Sequence, residues 1–178
     1  MKTARLLAKT GDEEAVSIRA VAQAVGVTPP AIYLHFTDKD ALIRAVCEDT
    51  FRALDDFVEG RVASIHDPLE QLAERGRAYV DFGVEHPEQY RVLFMGKARQ
   101  SGDEVLAAAG FAHLLDNVIR ALDAGQIARR DPAVVSAGLW AVVHGVTSMA
   151  LAVPGCPVDR HVLIEHLLEV QARGLAGS

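Results

Sequence analysis

Apolar residues recur at helical spacing along almost the whole chain. Between Ser17 and Phe36 the sequence reads SIRAVAQAVGVTPPAIYLHF. Ile18, Val21, Ala22 and Val25 fall at i, i+3, i+4 and i+7, which lays them on one face of a short helix. Gly26 supplies a corner open to positive φ, and Val27 is placed to plug the angle behind it. Thr28 then stands as an N-cap and Pro29 in a first turn, where a missing N–H costs nothing. The pattern predicts two short helices hinged on one glycine, the second ending in a polar, aromatic tip.

Downstream, Thr37 to Asp40 reads as a capping box, with Thr37 as cap and Asp40 reaching back. Ile43, Cys47, Phe51, Leu54, Val58, Val62 and Ile65 follow at steps of three and four, a core stripe 23 residues long. Asp67-Pro68 opens the next helix, whose buried side takes Leu69, Leu72, Tyr79, Phe82 and Gly83. His86-Pro87 breaks it, and the fragment PEQYRVLFMG follows. Ser101-Gly102 reads as a loop, 103–124 as a helix ended by Gly125, and Asp131-Pro132 as the start of one stopped by Pro154. A last helix runs from about Asp159 to Arg173, and a first one from Lys2 to Lys9, closed near Gly11. The expected class is all-α, with a small head (1–45) and a larger body (46–178) meeting within the long fourth helix.

Composition supports that class. Half of the 178 residues are hydrophobic, and Asn-Gly or Asp-Gly hairpin turns are missing. The net charge of −6 opposes a protein that coats nucleic acid over its whole surface. Its distribution changes the picture: residues 1–52 carry seven basic and seven acidic side chains, so the acidic excess belongs to the body. Cys47 and Cys156 show no pairing pattern, Cys47 falls on the apolar stripe, and a reducing cytoplasm is expected. The stretch 133–153 is long and apolar enough to weigh as a membrane span. Ser136, His144, Thr147 and Ser148 within it, and amphipathic helices on both sides, favour a buried helix with one side on its own core and the other on a partner subunit. Gly138, Ala141, Gly145 and Ala150 would admit such a neighbour closely. No membrane contact is expected.

The segment GVTPPAIYLHFTDKDALI, from Gly26 to Ile43, resembles the DNA-binding head of the TetR (tetracycline-repressor-like) family. It combines a helix-turn-helix ending in Tyr-x-His-Phe with a capped Lys-x-x-Leu helix. YRVLFMG (90–96) and Trp140…His144-Gly145 resemble a subgroup with a Trp-His-Gly signature in its ligand-binding domain. The resemblance implies a homodimer, a pocket in the body, a bundle formed by the last two helices of each subunit, and repression relieved by a small molecule.

The chemistry of the head can be argued from its own residues. Duplex DNA is held largely through phosphates, while base edges set preference. Thr28 offers a hydroxyl and backbone N–H groups, Tyr33 and His35 donors, and Lys39 a charge; Arg19 on the bracing helix is a further candidate. Phe36 reads as core. Pro29, Pro30 and Ala31 face the groove without bidentate donors, so preference should lean on thymine methyls, on Thr28 and on DNA shape. The expected partner is double-stranded DNA with a palindromic operator.

In the body, Tyr79, Phe82, Tyr90, Phe94, Met95, Phe111, Leu115, Trp140, His144 and Met149 are candidates to line a cavity for a small, largely apolar effector. Trp140 and His144 share an i, i+4 face and need polar partners if buried. No cofactor is expected. His161 and His166 lie on different sides of a helix, and His113 with Asp116 makes only a pair, so no metal set is expected either. An enzyme is disfavoured for want of a nucleophile with its base or a phosphate loop. The alternative is a helical interaction module, or a hydrophobic-ligand binder, that does not use its helix-turn-helix.

Overall fold

The computed structural model describes residues 17–94, 109–153 and 155–176. The expected first helix, Met95, the loop at Ser101-Gly102, the residues 103–108 and Pro154 lie outside these. The described residues form eight helices: α1 (Ile18–Val25), α2 (Pro29–Tyr33), α3 (Lys39–Val62), α4 (Pro68–Glu85), α5 (Pro87–Phe94), α6 (Ala109–Asp123), α7 (Pro132–Ala152) and α8 (Arg160–Leu175).

Helix starts follow from short polar side chains meeting orphan backbone donors. Ser17 Oγ accepts from Ala20 N (3.1 Å) and begins α1. Gly26 closes it at φ 83°, its N–H bonding back to Ala22 O, a conformation that a side chain would strain. Asp67 accepts from Glu70 N (2.9 Å), Asp131 from Ala133 N (2.8 Å) and Asp159 from His161 N (2.8 Å), starting α4, α7 and α8.

Three local expectations are corrected. The cap of α3 is Asp38, not Thr37: Asp38 Oδ1 accepts from Ala41 N (2.7 Å), while the Thr37 hydroxyl donates to Asp38 Oδ2 (3.2 Å). A carboxylate one position later is the better acceptor for the helix start. Second, α3 ends at Val62 after 24 residues, and Ile65 lies beyond it. Third, Val27 is 46 % exposed and plugs nothing, because Val21, Ala22 and Ile32 already fill the angle between α1 and α2.

Helix α4 is the central element, packed on α3, α6 and α7. One apolar cluster runs without interruption from Val21, Ala22 and Ile32 in the head, through Ile43, Cys47, Leu54 and Val58 of α3, to Phe82 and Leu93 in the body. Phe36 packs against it as expected. Gly83 brings α4 close to α7, where an added Cβ would run into Thr147 Cγ2.

Helix α7 is long and apolar enough, by length and composition, to cross a membrane. Its inward face buries Val135, Val143 and Val146. The opposite face leaves Val134 and Met149 exposed, and among the described residues no other part of the fold lies within 4 Å of a Cβ built on Gly138 or Gly145. Val162 and Val170 of α8 are exposed as well.

Candidate functional site

Two arrangements carry chemistry. The first is the tip of the head. Ile32 is 6 % exposed and anchors α2 in the core, while Tyr33 is 58 % and Leu34 83 % exposed. The tight turn that follows, with His35 N and Phe36 N both donating to Ile32 O (3.0 Å), turns Phe36 inward and leaves His35 outward. Thr28 caps α2 by backbone position, but its hydroxyl makes no cap hydrogen bond, so it is open to an outside acceptor. Pro30 and Arg19 are exposed, and Pro29, Ala31 and Lys39 partly so. All eight head candidates therefore reach the surface. Leu34 was missed by sequence reasoning: an apolar residue beside Tyr33 reads as core, and only the turn geometry expels it.

The second arrangement lies in the body. Tyr79, Tyr90, Phe94, Trp140 and His144 form one aromatic group in which Phe94 meets Tyr90 and His144 at ring distances of 5.0 Å. Trp140 Nε1–H donates to Tyr79 Oη (3.3 Å), and the Tyr90 hydroxyl and His144 Nδ1 share a hydrogen bond (2.7 Å). Burial holds the His144 ring below its ordinary pKa and pushes the Tyr90 phenol up, so both stay neutral at pH 7.

Beside this group is a cavity of about 100 Å³, room for a small apolar group rather than a single water. Tyr79, Phe94, Phe111 and Trp140 of the expected residues line it. The other candidates among the described residues do not reach the wall, for distinct reasons. Phe82 and Tyr90 are buried in the core. His144 turns to the tyrosine hydroxyls behind Trp140. On α6 it is Leu114, not Leu115, that faces the space. Met149, 46 % exposed, belongs to the outward face of α7.

Much of the wall comes from residues that sequence reasoning had placed as core or passed over: Phe51, Leu54 and Val58 of α3, Leu72 and Arg75 of α4, and Gln171 of α8. Arg75 is buried; it donates from Nε to Asn117 Oδ1 (3.0 Å) and from Nη1 to Glu59. Asn117 is fixed in turn by donating to Pro68 O (2.9 Å). The signal for Arg75 was available, since it stands three residues beyond Leu72 on a buried stripe. Gln171 Oε1 is buried with no partner among the described residues. His113 and Asp116, three apart in the sequence, take different partners. Asp116 pairs with Arg120 (3.0 Å), and His113 faces Asp55 (3.0 Å) and Glu59 (3.3 Å) across α3 and α6.

Comparisons with known proteins cover both arrangements. Residues 1–46 match the sequence model described as bacterial regulatory proteins, tetR family, and residues 72–171 match the tetracyclin repressor-like C-terminal domain. No curated protein matches the chain. Among solved structures, a TetR family transcription regulator from Marinobacter aquaeolei is similar at TM-score 0.80 and 20 % identity, over 99 % of this chain and 93 % of the other. The TetR family regulator PfmR from Thermus thermophilus is similar at 0.72 and 19 %, over 97 % and 95 %. AibR, in complex with isovaleryl coenzyme A and operator DNA, is similar at 0.73 and 19 %, over 95 % and 93 %.

Proposed function

The chain belongs to the TetR family of bacterial regulators, and from that premise we propose that it is a dimeric repressor released from a palindromic operator by a small, largely apolar effector. The family is one of DNA-binding transcriptional regulators rather than enzymes. The observation that carries the reading is the outward corner at Tyr33, Leu34 and His35, mounted on a buried Ile32. Tyr33, His35, Lys39 and Arg19 grip phosphates; the uncommitted Thr28 hydroxyl reaches a base edge, and Pro29, Pro30, Ala31 and Leu34 offer apolar contact to thymine methyls. The head takes residues 1–45 and the body 46–178.

The outward face of α7, with α8 beside it, is the dimer surface. Its open glycines and exposed valines support that assignment. Pairing there would set two α2 helices about 34–36 Å apart, or a multiple, to enter successive major grooves. The effector occupies the cavity lined by Tyr79, Phe94, Phe111 and Trp140. The complex of AibR with isovaleryl coenzyme A and operator DNA supports ligand control here. The Trp140…His144-Gly145 group supports placement in the Trp-His-Gly subgroup. His144 acts there by fixing Tyr90 and backing Trp140, one layer behind the wall.

Fluorescence anisotropy with DNA from the region upstream of its own gene tests the reading. Affinity should fall steeply and log-linearly with salt, as phosphate-led binding requires. Absent or salt-insensitive binding would overturn it.

A further inference from the structure

Two carboxylates and an imidazole converge where α3 crosses α6. Asp55 and Glu59 stand one turn apart on α3, and His113 approaches from α6. Its Nδ1 lies 3.0 Å from Asp55 Oδ1 and 3.3 Å from Glu59 Oε1. All three potential ligand atoms fall within 4.8 Å of one another. We propose that Asp55, Glu59 and His113 bind a divalent transition-metal ion, Zn²⁺ foremost.

The two spacings from His113 Nδ1, 3.0 and 3.3 Å, fit the ion. With bonds of about 2.0–2.2 Å, ligand atoms around a tetrahedral or octahedral centre stand roughly 2.9–3.5 Å apart. A neutral imidazole has at most one proton on Nδ1 to share between two carboxylate oxygens. A cation in that proton's place meets all three atoms at once, the ring keeping its proton on Nε2 and Glu59 Oε1 still accepting from Arg75 Nη1. Mixed oxygen and nitrogen donors favour a first-row ion such as Zn²⁺ over Mg²⁺ or Ca²⁺, which take oxygen alone.

Outer contacts hold the ligands in place, a feature of metal centres rather than of casual surface pairs. Glu59 is fixed by Arg75, Arg75 by Asn117, and Asn117 by the Pro68 carbonyl. Arg75 is itself buried, so the chain of contacts rests on the core. On the other side Gly110, one turn before His113, leaves space: a Cβ there would lie 3.5 Å from Asp55 Oδ1. The half-exposed His113 ring gives an ion a way in from solvent. Asp55 also lines the cavity.

The test uses the full chain, stripped with chelator and dialysed. Zn²⁺ is titrated by calorimetry, and Co²⁺ is followed by its visible d–d absorption. One ion should bind per chain, with affinity reduced at least about tenfold in His113→Ala and in Asp55→Asn, and unchanged in His166→Ala. If His113→Ala does not fold, the near-isosteric Asp55→Asn carries the comparison. No saturable binding, or binding that survives loss of the ligands, overturns the proposal.

Discussion

Tyr33 and His144 show how differently two polar aromatics can be used by one chain. Tyr33 makes no demand on the fold, so its substitution should leave stability intact. Tyr33→Ala should lower affinity for all DNA sequences alike, on the order of tenfold, since one hydrogen bond to a charged group is worth about 1.5 kcal/mol. Anisotropy on cognate and scrambled duplexes measures this, and Thr28→Ala should instead change the ratio between them. His144 is the reverse, because burial lowers its pKa. Below the unfolded value near 6.5, the unfolded chain takes up a proton that the folded one refuses, so stability is lost as pH falls through that range. The urea midpoint should therefore drop between pH 7 and 5, and His144→Gln should flatten the drop.

At the scale of elements, the sequence announces its helix starts and corners well, because each depends on a few neighbouring atoms. Gly26 and Asp131-Pro132 are of this kind. Where two adjacent polar residues compete for the same cap, as Thr37 and Asp38 do, pattern alone chooses poorly. Helical spacing also says which face of α3 is apolar without saying what that face meets. Phe51, Leu54 and Val58 therefore read as core, although they border a cavity whose far wall comes from α6, α7 and α8. The metal ligands are hidden for the same reason, since Asp55 and His113 are 58 residues apart in the chain. Gly83 gives the sharpest test at this scale. Gly83→Ala would drive a methyl into Thr147 and against Tyr90, and overpacking of this kind costs about 1–3 kcal/mol. A lowered thermal midpoint, with the helical circular-dichroism spectrum retained, is the expected result.

For the molecule as a whole, the question is what covers the outer side of α7. Ala141 sits on that side, with Gly138 and Gly145 before and after it. Ala141→Arg should leave the chain folded and yet halve its mass in sedimentation, from about twice 19.1 kDa to 19.1 kDa. DNA affinity should fall with it, since one head grips half as many phosphates. A dimer that persists in this variant would place the subunit contact elsewhere.

Helix α3 has no proline, and its only glycine, Gly60, comes in the last turn. At about 1.5 Å per residue, its 24 residues make a stiff shaft roughly 36 Å long, clamped in the head at Ile43 and beside the cavity at Val58. Such a shaft has no joint along most of its length to absorb a push. Tilting its cavity end by a few degrees swings the other, and the reading corner with it, out of step with the groove.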